Sequence, residues 1–277
     1  MIPSLSLRGL GLAVTDPLVV ADLAAAVGFR GVHLHLHHTE AAQRTALARL
    51  VTAKNLTVTW VYPPGDLFRS ARDARGRALD RFVDTAAFAA RLGVRVVASW
   101  LPARLYTPAG MRTVTTVLYP LVGLTAQAGM VFGLEHITAA PASGRVGPAR
   151  GIGLAGTLAL LEALGATAGL VADTAHLAAA GALADTGAWV ERVVDVQLAD
   201  PPIGGSPVRR GWPGHTGTLD HRLLLADLAE AGYGGPVMVE SPVDAGLDAR
   251  AAATQALTYL RALLDEQPAT AAVPGSV

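Results

Sequence analysis

Short apolar runs alternate with longer amphipathic segments from one end of the chain to the other. The runs are rich in valine, leucine and alanine, which is typical of strands buried on both faces of a sheet. Eight such strands are predicted: Leu5–Val14, Gly31–Leu36, Thr57–Tyr62, Val94–Trp100, Val131–Glu135, Gly169–Asp173, Val194–Ala199 and Val237–Glu240.

The segments between the strands have helical patterns, and glycines mark several of their ends, as at Gly28, Gly93 and Gly232. The predicted helices are Pro17–Val27, Glu40–Lys54, Asp73–Leu92, Met111–Ala128, Leu154–Leu164, Asp220–Ala231 and Asp248–Leu264.

Alternating strands and helices of this number predict an α/β fold, a TIM (β/α)8 barrel. No shift in composition marks a second domain, so we expect one domain over residues 1–266 and a disordered tail over 267–277. An open doubly wound sheet is the alternative. It is less favoured because no Gly-x-Gly-x-x-Gly follows the first strand.

Four polar side chains interrupt the apolar strands. Glu135, Asp173 and Glu240 each close a predicted strand, and Gln197 lies inside one that should be apolar throughout. Strand alternation gives each of them apolar neighbours on the opposite, helix-facing side. We therefore expect all four to point into the mouth of the barrel.

Three converging carboxylates would repel one another unless they bound protons or a cation. With a neutral amide oxygen added, the set suits a divalent ion such as Mg²⁺ or Mn²⁺. The alternative is that each acid caps the following helix or pairs with an arginine.

Composition narrows the function further. The chain has 22 basic and 22 acidic residues and a net charge of zero, so no nucleic-acid partner is expected, although a homodimer is allowed. Without cysteine there is no thiolate site. No apolar run is long enough for a membrane helix and no signal peptide is evident, so we expect no membrane partner and a cytoplasmic location.

Several aromatic and histidine residues are candidates for a substrate pocket. His176 follows the acid of the sixth strand by three residues, and a helix-capping role is its alternative. His33 and His35 share an inward strand face, with His35 nearer the mouth; a second metal site is the other reading. Trp60 and Trp100 could form apolar walls, although core packing is at least as plausible for Trp60.

Taken together, these motifs resemble the sugar phosphate isomerase/epimerase superfamily of xylose-isomerase-like TIM barrels. The resemblance lies in a glutamate on strand five, Asp-x-x-His after strand six and a glutamate closing strand eight. It extends to the loop Arg210-Gly211-Trp212-Pro213-Gly214, to Leu219-Asp220 and to Ala231-Gly232-Tyr233-Gly234-Gly235.

The resemblance implies one divalent metal held by Glu135, Asp173, Gln197 and Glu240. Mn²⁺, Mg²⁺ or Co²⁺ would be expected more than Zn²⁺. It also implies that Glu135 and Glu240 act as an acid–base pair on a carbohydrate-like substrate, through a metal-stabilised enediolate. His176 and Arg210 match substrate-oxygen contacts of the family, with Arg209 as the uncertain neighbour; His35 and Trp100 are our further substrate-pocket candidates.

The chain departs from the common family pattern at three places. Most members have histidine where this chain has Gln197, but hydroxypyruvate-isomerase-like members resemble it in using glutamine. The loop over residues 213–218 lacks the usual acid, and His33 replaces an acid of the second strand. These departures leave the substrate open.

Four functions therefore remain after the sequence. The first is a metal-dependent isomerase or epimerase of a sugar, polyol or small hydroxy-ketone. The second is a lyase or dehydratase acting on a keto-sugar, keto-inositol or oxidised glycoside with the same metal and base. An apurinic-site endonuclease is remote, because it needs a trinuclear zinc cluster with further histidines. The last is a non-catalytic binding protein.

Overall fold

The computed structural model describes most of the chain. The described residues are 1–14, 16–35, 41–62, 72–100, 108–136, 153–201, 211–214, 219–243 and 246–265. The strands are β1 (Ile2–Leu5), β2 (Gly31–His35), β3 (Thr57–Tyr62), β4 (Val96–Trp100), β5 (Val131–Glu135), β6 (Ala168–Asp173), β7 (Val193–Leu198) and β8 (Pro236–Val239). The helices are α1 (Pro17–Val27), α2 (Ala41–Ala53), α3 (Arg72–Arg91), α4 (Pro108–Gln127), α5 (Gly153–Leu164), α6 (Thr174–Ala179), α7 (His221–Glu230) and α8 (Ala249–Asp265).

The eight strands form a closed barrel in which each strand pairs with its neighbour in sequence and β8 pairs in parallel with β1. Each strand is followed by a helix that packs outside the barrel. The prediction of a single TIM barrel is confirmed, and the open doubly wound sheet is excluded because the described sheet has no edge strand.

The first strand lies earlier in the chain than the sequence predicts, and it shares only Leu5 with the predicted Leu5–Val14. It ends at Leu5, and the chain then turns, with Ser6 O accepting from Leu10 N at 3.1 Å and Gly11 in the left-handed region at φ +74°. Leu7 and Leu10 are buried in this turn. Their burial explains the error, because buried turn residues and buried strand residues produce the same apolar run.

A short helix after β6 was also missed. Helix α6 begins directly at the strand end and is followed by three single turns of 3₁₀ helix between Ala182 and Arg192. Trp189 anchors this segment: it is buried and its indole Nε1 donates to Ala182 O at 3.0 Å. Six residues are too few to give a clear helical period in the sequence.

The barrel has two apolar layers. The larger core lies between the strands and the surrounding helices. A separate, smaller cluster fills the barrel interior and is made of Trp60, Val96, Ala98 and Val171 with the partly buried Val194. Packed interiors of this kind are normal for the fold, so the barrel is not a pore and the functional groups must lie above the cluster, at its mouth.

Among the described residues, no helix combines the length and apolar character needed to cross a bilayer.

A substitution at Gly133 of β5 tests how tightly the barrel interior is packed. A Cβ added there would lie 2.9 Å from side-chain atoms of both Val96 and Val171. We expect Gly133→Ala to lower the free energy of unfolding by about 1–3 kcal/mol, because both neighbours are held in the barrel interior. Urea denaturation measures the change.

Gly123 provides the matched control. It is exposed in α4, and a Cβ there meets no other atom within 4 Å. Gly123→Ala should raise stability by about 0.5–1 kcal/mol through its helix propensity. A loss of stability at both glycines, or at neither, would contradict the packing assigned to the interior.

Candidate active site

A cavity of about 250 Å³ opens at the carboxyl-terminal mouth of the barrel. This is the face on which TIM-barrel enzymes carry their active sites. The cavity is lined by Ser6, Arg8, Gly9, His35, Trp60, Trp100, Glu135, His176, Gln197, Met238 and Glu240. Six of the seven described residues predicted for the site line it, and the seventh, Asp173, lies beside His176.

Four consecutive strands supply the candidate metal ligands. Glu135 ends β5, Asp173 ends β6, Gln197 lies near the end of β7, and Glu240 follows β8 directly. Asp173 pairs in register with Gln197, and the amide of Glu240 continues the ladder by donating to Leu198 O at 2.9 Å. Parallel strands in a closed barrel therefore bring four polar groups to one side of the mouth.

Asp173 divides its two carboxylate oxygens between two tasks. Oδ1 accepts from the backbone N–H groups of Ala175 at 2.9 Å and His176 at 3.1 Å, and so caps the start of α6. Oδ2 lies 4.0 Å from His176 Nε2. The helix-capping alternative from the sequence is thus realised by one oxygen, while the other faces the candidate site.

Glu135, Asp173 and His176 could hold a cation together. Each offers one ligand atom, and these three atoms all lie within 4.8 Å of one another. The sequence predicted His176 as a substrate contact rather than a member of such a group. Helix α6 makes the difference, because it turns the histidine back towards the end of its own strand. Glu240 lines the cavity but lies outside this group of three.

Gln197 provides the test of whether the site fits a metal. Its side chain is buried, and its Nε2 donates to Asp195 Oδ2 at 3.4 Å. Its Oε1 is buried with no hydrogen-bond partner among the described residues. A buried acceptor without a partner costs about 1–3 kcal/mol, and a cation beside the two neighbouring carboxylates would satisfy it. The donors present therefore fit a divalent ion.

Aromatic and histidine side chains lie beneath and beside these donors. The His33 ring stacks on Trp60 with centroids 5.2 Å apart, and His35 meets the same indole edge-on at 5.5 Å. His35 reaches the cavity, whereas His33 is buried below it with Nε2 3.2 Å from Asp195 Oδ1. Trp100 is about one-third exposed at the cavity rim.

His136 is a buried group beside the candidate ligands that sequence reasoning did not select. It follows Glu135, is buried, and makes a 3.0 Å hydrogen bond between Nδ1 and Thr157 Oγ1. Burial, together with the nearby His176, lowers the pKa of His136 to about 4 against an opposing effect of Asp173. His136 therefore adds no positive charge to the site at neutral pH.

Arg8 is a charged residue of the cavity that sequence reasoning missed. It lies in the turn after β1, together with Ser6 and Gly9. The predicted first strand ran through this turn and so placed Arg8 inside the sheet. The paired glycines at positions 9 and 11 were the available signal that the strand had ended.

Arg210, the second predicted substrate contact, lies outside the described residues, as do Arg209 and the tail 266–277.

A buried polar network holds the described part of the β7–α7 connection. The backbones of Asp200 and Gly211 exchange two hydrogen bonds of 3.0 Å. Behind them, His221 Nε2 lies 3.7 Å from Asp200 Oδ1, and His221 Nδ1 makes a 3.0 Å hydrogen bond with the Tyr259 hydroxyl. Trp212 packs edge-on against Tyr259, with ring centroids 6.3 Å apart. The described part of this connection is therefore tied to α7 and α8.

The family model described as the xylose isomerase-like TIM barrel matches residues 21–263, which is most of the chain. The chain belongs to this family. The match covers all four candidate ligand strands, and the resemblance predicted from the sequence is confirmed. No curated protein matches the chain significantly.

Solved structures of other proteins have the same fold. A xylose isomerase domain protein from Alicyclobacillus acidocaldarius is 25% identical with a TM-score of 0.78, covering 96% of this chain and 98% of that one. The IolI protein with a bound zinc atom is 15% identical with a TM-score of 0.77, covering 98% and 100%. The 3-keto-D-glucoside 4-epimerase YcjR from E. coli is 18% identical with a TM-score of 0.69, covering 95% and 99%.

The network behind the loop predicts a pH-dependent stability. Burial lowers the pKa of His221 below its ordinary value, against opposing effects of Asp200 and Asp220. Below about pH 6.5 the unfolded histidine binds a proton that the folded one does not, so stability should fall as pH falls. His221→Gln should weaken this dependence, measured by urea unfolding at about pH 5 and about pH 7.5.

His136 is also buried in its neutral form. Its contribution to the change of unfolding free energy with pH should therefore remain in the His221→Gln variant. If the unfolding free energy of His221→Gln changes with pH as steeply as that of the wild type, His221 is not held neutral by the fold.

Proposed function

We propose that this protein is a divalent-metal-dependent isomerase or epimerase of a sugar, polyol or small hydroxy-ketone. The observation that carries the proposal is the presence of two half-buried glutamates, Glu135 and Glu240, in one cavity with the candidate metal ligands. Two strands, β6 and β7, separate them around the barrel, so the two carboxylates approach the cavity from different positions.

The two glutamates supply the acid–base chemistry. In a substrate with a hydroxyl next to its carbonyl, the carbon that carries the hydroxyl has an acidic C–H. A carboxylate within reach removes that proton as a general base. Glu240 is the stronger candidate for this step because it lies outside the group of Glu135, Asp173 and His176. Return of the proton to a different carbon gives isomerisation, and return to the opposite face gives epimerisation.

Glu135, Asp173 and His176, with Gln197 Oε1 beside them, would hold the metal. A bound divalent ion supplies positive charge that stabilises the negative charge developing on substrate oxygens as the proton leaves. His35 and Trp100 would bound the substrate, and Arg8 places a cation at the same cavity.

The donor set widens the choice of metal. Three oxygen donors favour Mg²⁺ or Mn²⁺, whereas a histidine nitrogen beside two carboxylates also suits Zn²⁺ or Co²⁺. The bound zinc of the IolI structure supports keeping Zn²⁺ in this choice. Imidazole is a ligand that the sequence-based expectation for this site did not include.

Metal binding is the first test of the proposal. Protein stripped with a chelator should bind about one equivalent of Mn²⁺ in isothermal titration calorimetry, and Asp173→Ala should weaken binding at least about 10-fold. Glu162→Ala, at an exposed glutamate of α5, is the control and should bind as the wild type does. Wild-type protein that binds no divalent ion would overturn the proposed site.

Proton exchange is the second test. Solvent deuterium incorporation would be followed by NMR over a panel of ketoses, inosose-like polyols and 3-keto-glycosides, with Mn²⁺ present. The 3-keto-glycosides are included because YcjR acts as an epimerase of that class. Glu240→Gln should slow exchange at least about 100-fold while retaining Mn²⁺, because it removes the base and keeps the side-chain shape.

Glu162→Gln is the matched control for exchange and should leave the rate unchanged. Exchange that survives Glu240→Gln would assign the base elsewhere. Exchange accompanied by loss of a substrate hydroxyl or glycosyl group would identify the lyase or dehydratase that shares this metal and base.

A further inference from the structure

A buried polar chain lies directly beneath the candidate metal ligands. His33 Nε2 is 3.2 Å from Asp195 Oδ1, and the second oxygen of Asp195, Oδ2, accepts from Gln197 Nε2 at 3.4 Å. The Asp195 and His33 side chains are fully buried, and Gln197 is 2% exposed. Strand β7 carries Asp195 and Gln197 on its inward face, and β2 brings His33 to them across the barrel interior.

This contact decides which end of the Gln197 amide faces the site. A carboxylate accepts hydrogen bonds but donates none when it is ionised, so it favours the amide nitrogen over the amide oxygen. With Nε2 turned down to Asp195, Oε1 must point the other way, and it is buried with no hydrogen-bond partner among the described residues. The reverse orientation would place two oxygens together below and an N–H group towards the metal.

His33 limits which oxygen of Asp195 can contact Gln197. Its Nε2 lies against Oδ1, so the carboxylate offers Oδ2 to the glutamine. The His33 ring is itself stacked on Trp60, a member of the apolar cluster inside the barrel. The orientation of the amide is therefore tied to the packed interior rather than to the cavity.

We propose that Asp195, supported by His33, is a positioning residue that fixes the Gln197 carbonyl oxygen towards the metal. The proposal rests on the proposed metal site and explains how a neutral amide serves there as a ligand. An amide has two ends of similar shape, and only one of them binds a cation. Without Asp195 the side chain could present either end to the metal.

A double-mutant cycle measured by Mn²⁺ calorimetry tests the proposal. Asp195→Asn keeps the shape of the side chain but lets position 195 either donate or accept, so the orientation is lost. We expect Mn²⁺ binding to weaken by about 10–100-fold, as for other residues that orient metal ligands. In the Gln197→Ala background the same substitution should change affinity by less than about threefold, because no amide remains to be oriented.

An exchanged pair gives a second measurement with the charge of the pair conserved. In Asp195→Asn combined with Gln197→Glu, the new amide can donate to one oxygen of the new carboxylate, which leaves the other oxygen for the metal. Mn²⁺ affinity should return to within about threefold of the wild type. Asp200→Asn controls for loss of a buried charge, because Asp200 is equally buried but contacts His221; it should change affinity less than about threefold.

The outcomes separate this inference from the proposed function. A wild-type protein that binds no Mn²⁺ overturns the metal site itself. If the wild type binds Mn²⁺ but Asp195→Asn weakens binding equally with Gln197 and with Ala at position 197, the metal site stands and the positioning role is overturned. The effect of Asp195 would then be general electrostatics. Failure of the exchanged pair to recover affinity also overturns it. Urea unfolding of each variant identifies any that do not fold.

Discussion

The crowding of polar groups at one end of a closed barrel is the constraint on which the structure depends. Four neighbouring strands bring three carboxylates and one amide to the same mouth of the closed barrel. Such a cluster is unfavourable unless a cation, a proton or a donor group compensates each member. The described contacts compensate two members of the cluster: the start of α6 binds one oxygen of Asp173, and Asp195 accepts from the amide of Gln197. The metal of the proposed function would compensate the remaining carboxylate charge.

The barrel interior is part of this arrangement. Its small apolar cluster lies below the mouth, and Trp60 belongs to this cluster while also lining the cavity above it. The polar contact of His33 with Asp195 is placed where water is excluded, and this strengthens electrostatic interactions. Among the described residues, Gln197 is therefore supported from inside the barrel.

The sequence was sufficient for the fold and for the strands that carry the candidate ligands, because buried parallel strands have a distinct apolar pattern and a polar residue in one is conspicuous. It was insufficient where the local geometry of a turn or a short helix decides which side chains reach the site. Helix α6 turns His176 towards Asp173, and the early end of β1 brings Arg8 to the cavity. Neither a six-residue helix nor a buried turn has a periodicity that distinguishes it. The contact of Asp195 with Gln197 likewise depends on the side-chain rotamers of the two residues, which the sequence does not show.

The double use of Asp173 has a consequence for comparing relatives. One of its oxygens starts α6 whatever the other one does, so selection for folding alone would retain an acid at this position. A descendant that had lost catalysis would keep Asp173 and still look like an enzyme there. Gln197 lies within β7 and caps no described helix, so its fate in a lineage is a better record of whether the proposed chemistry survived.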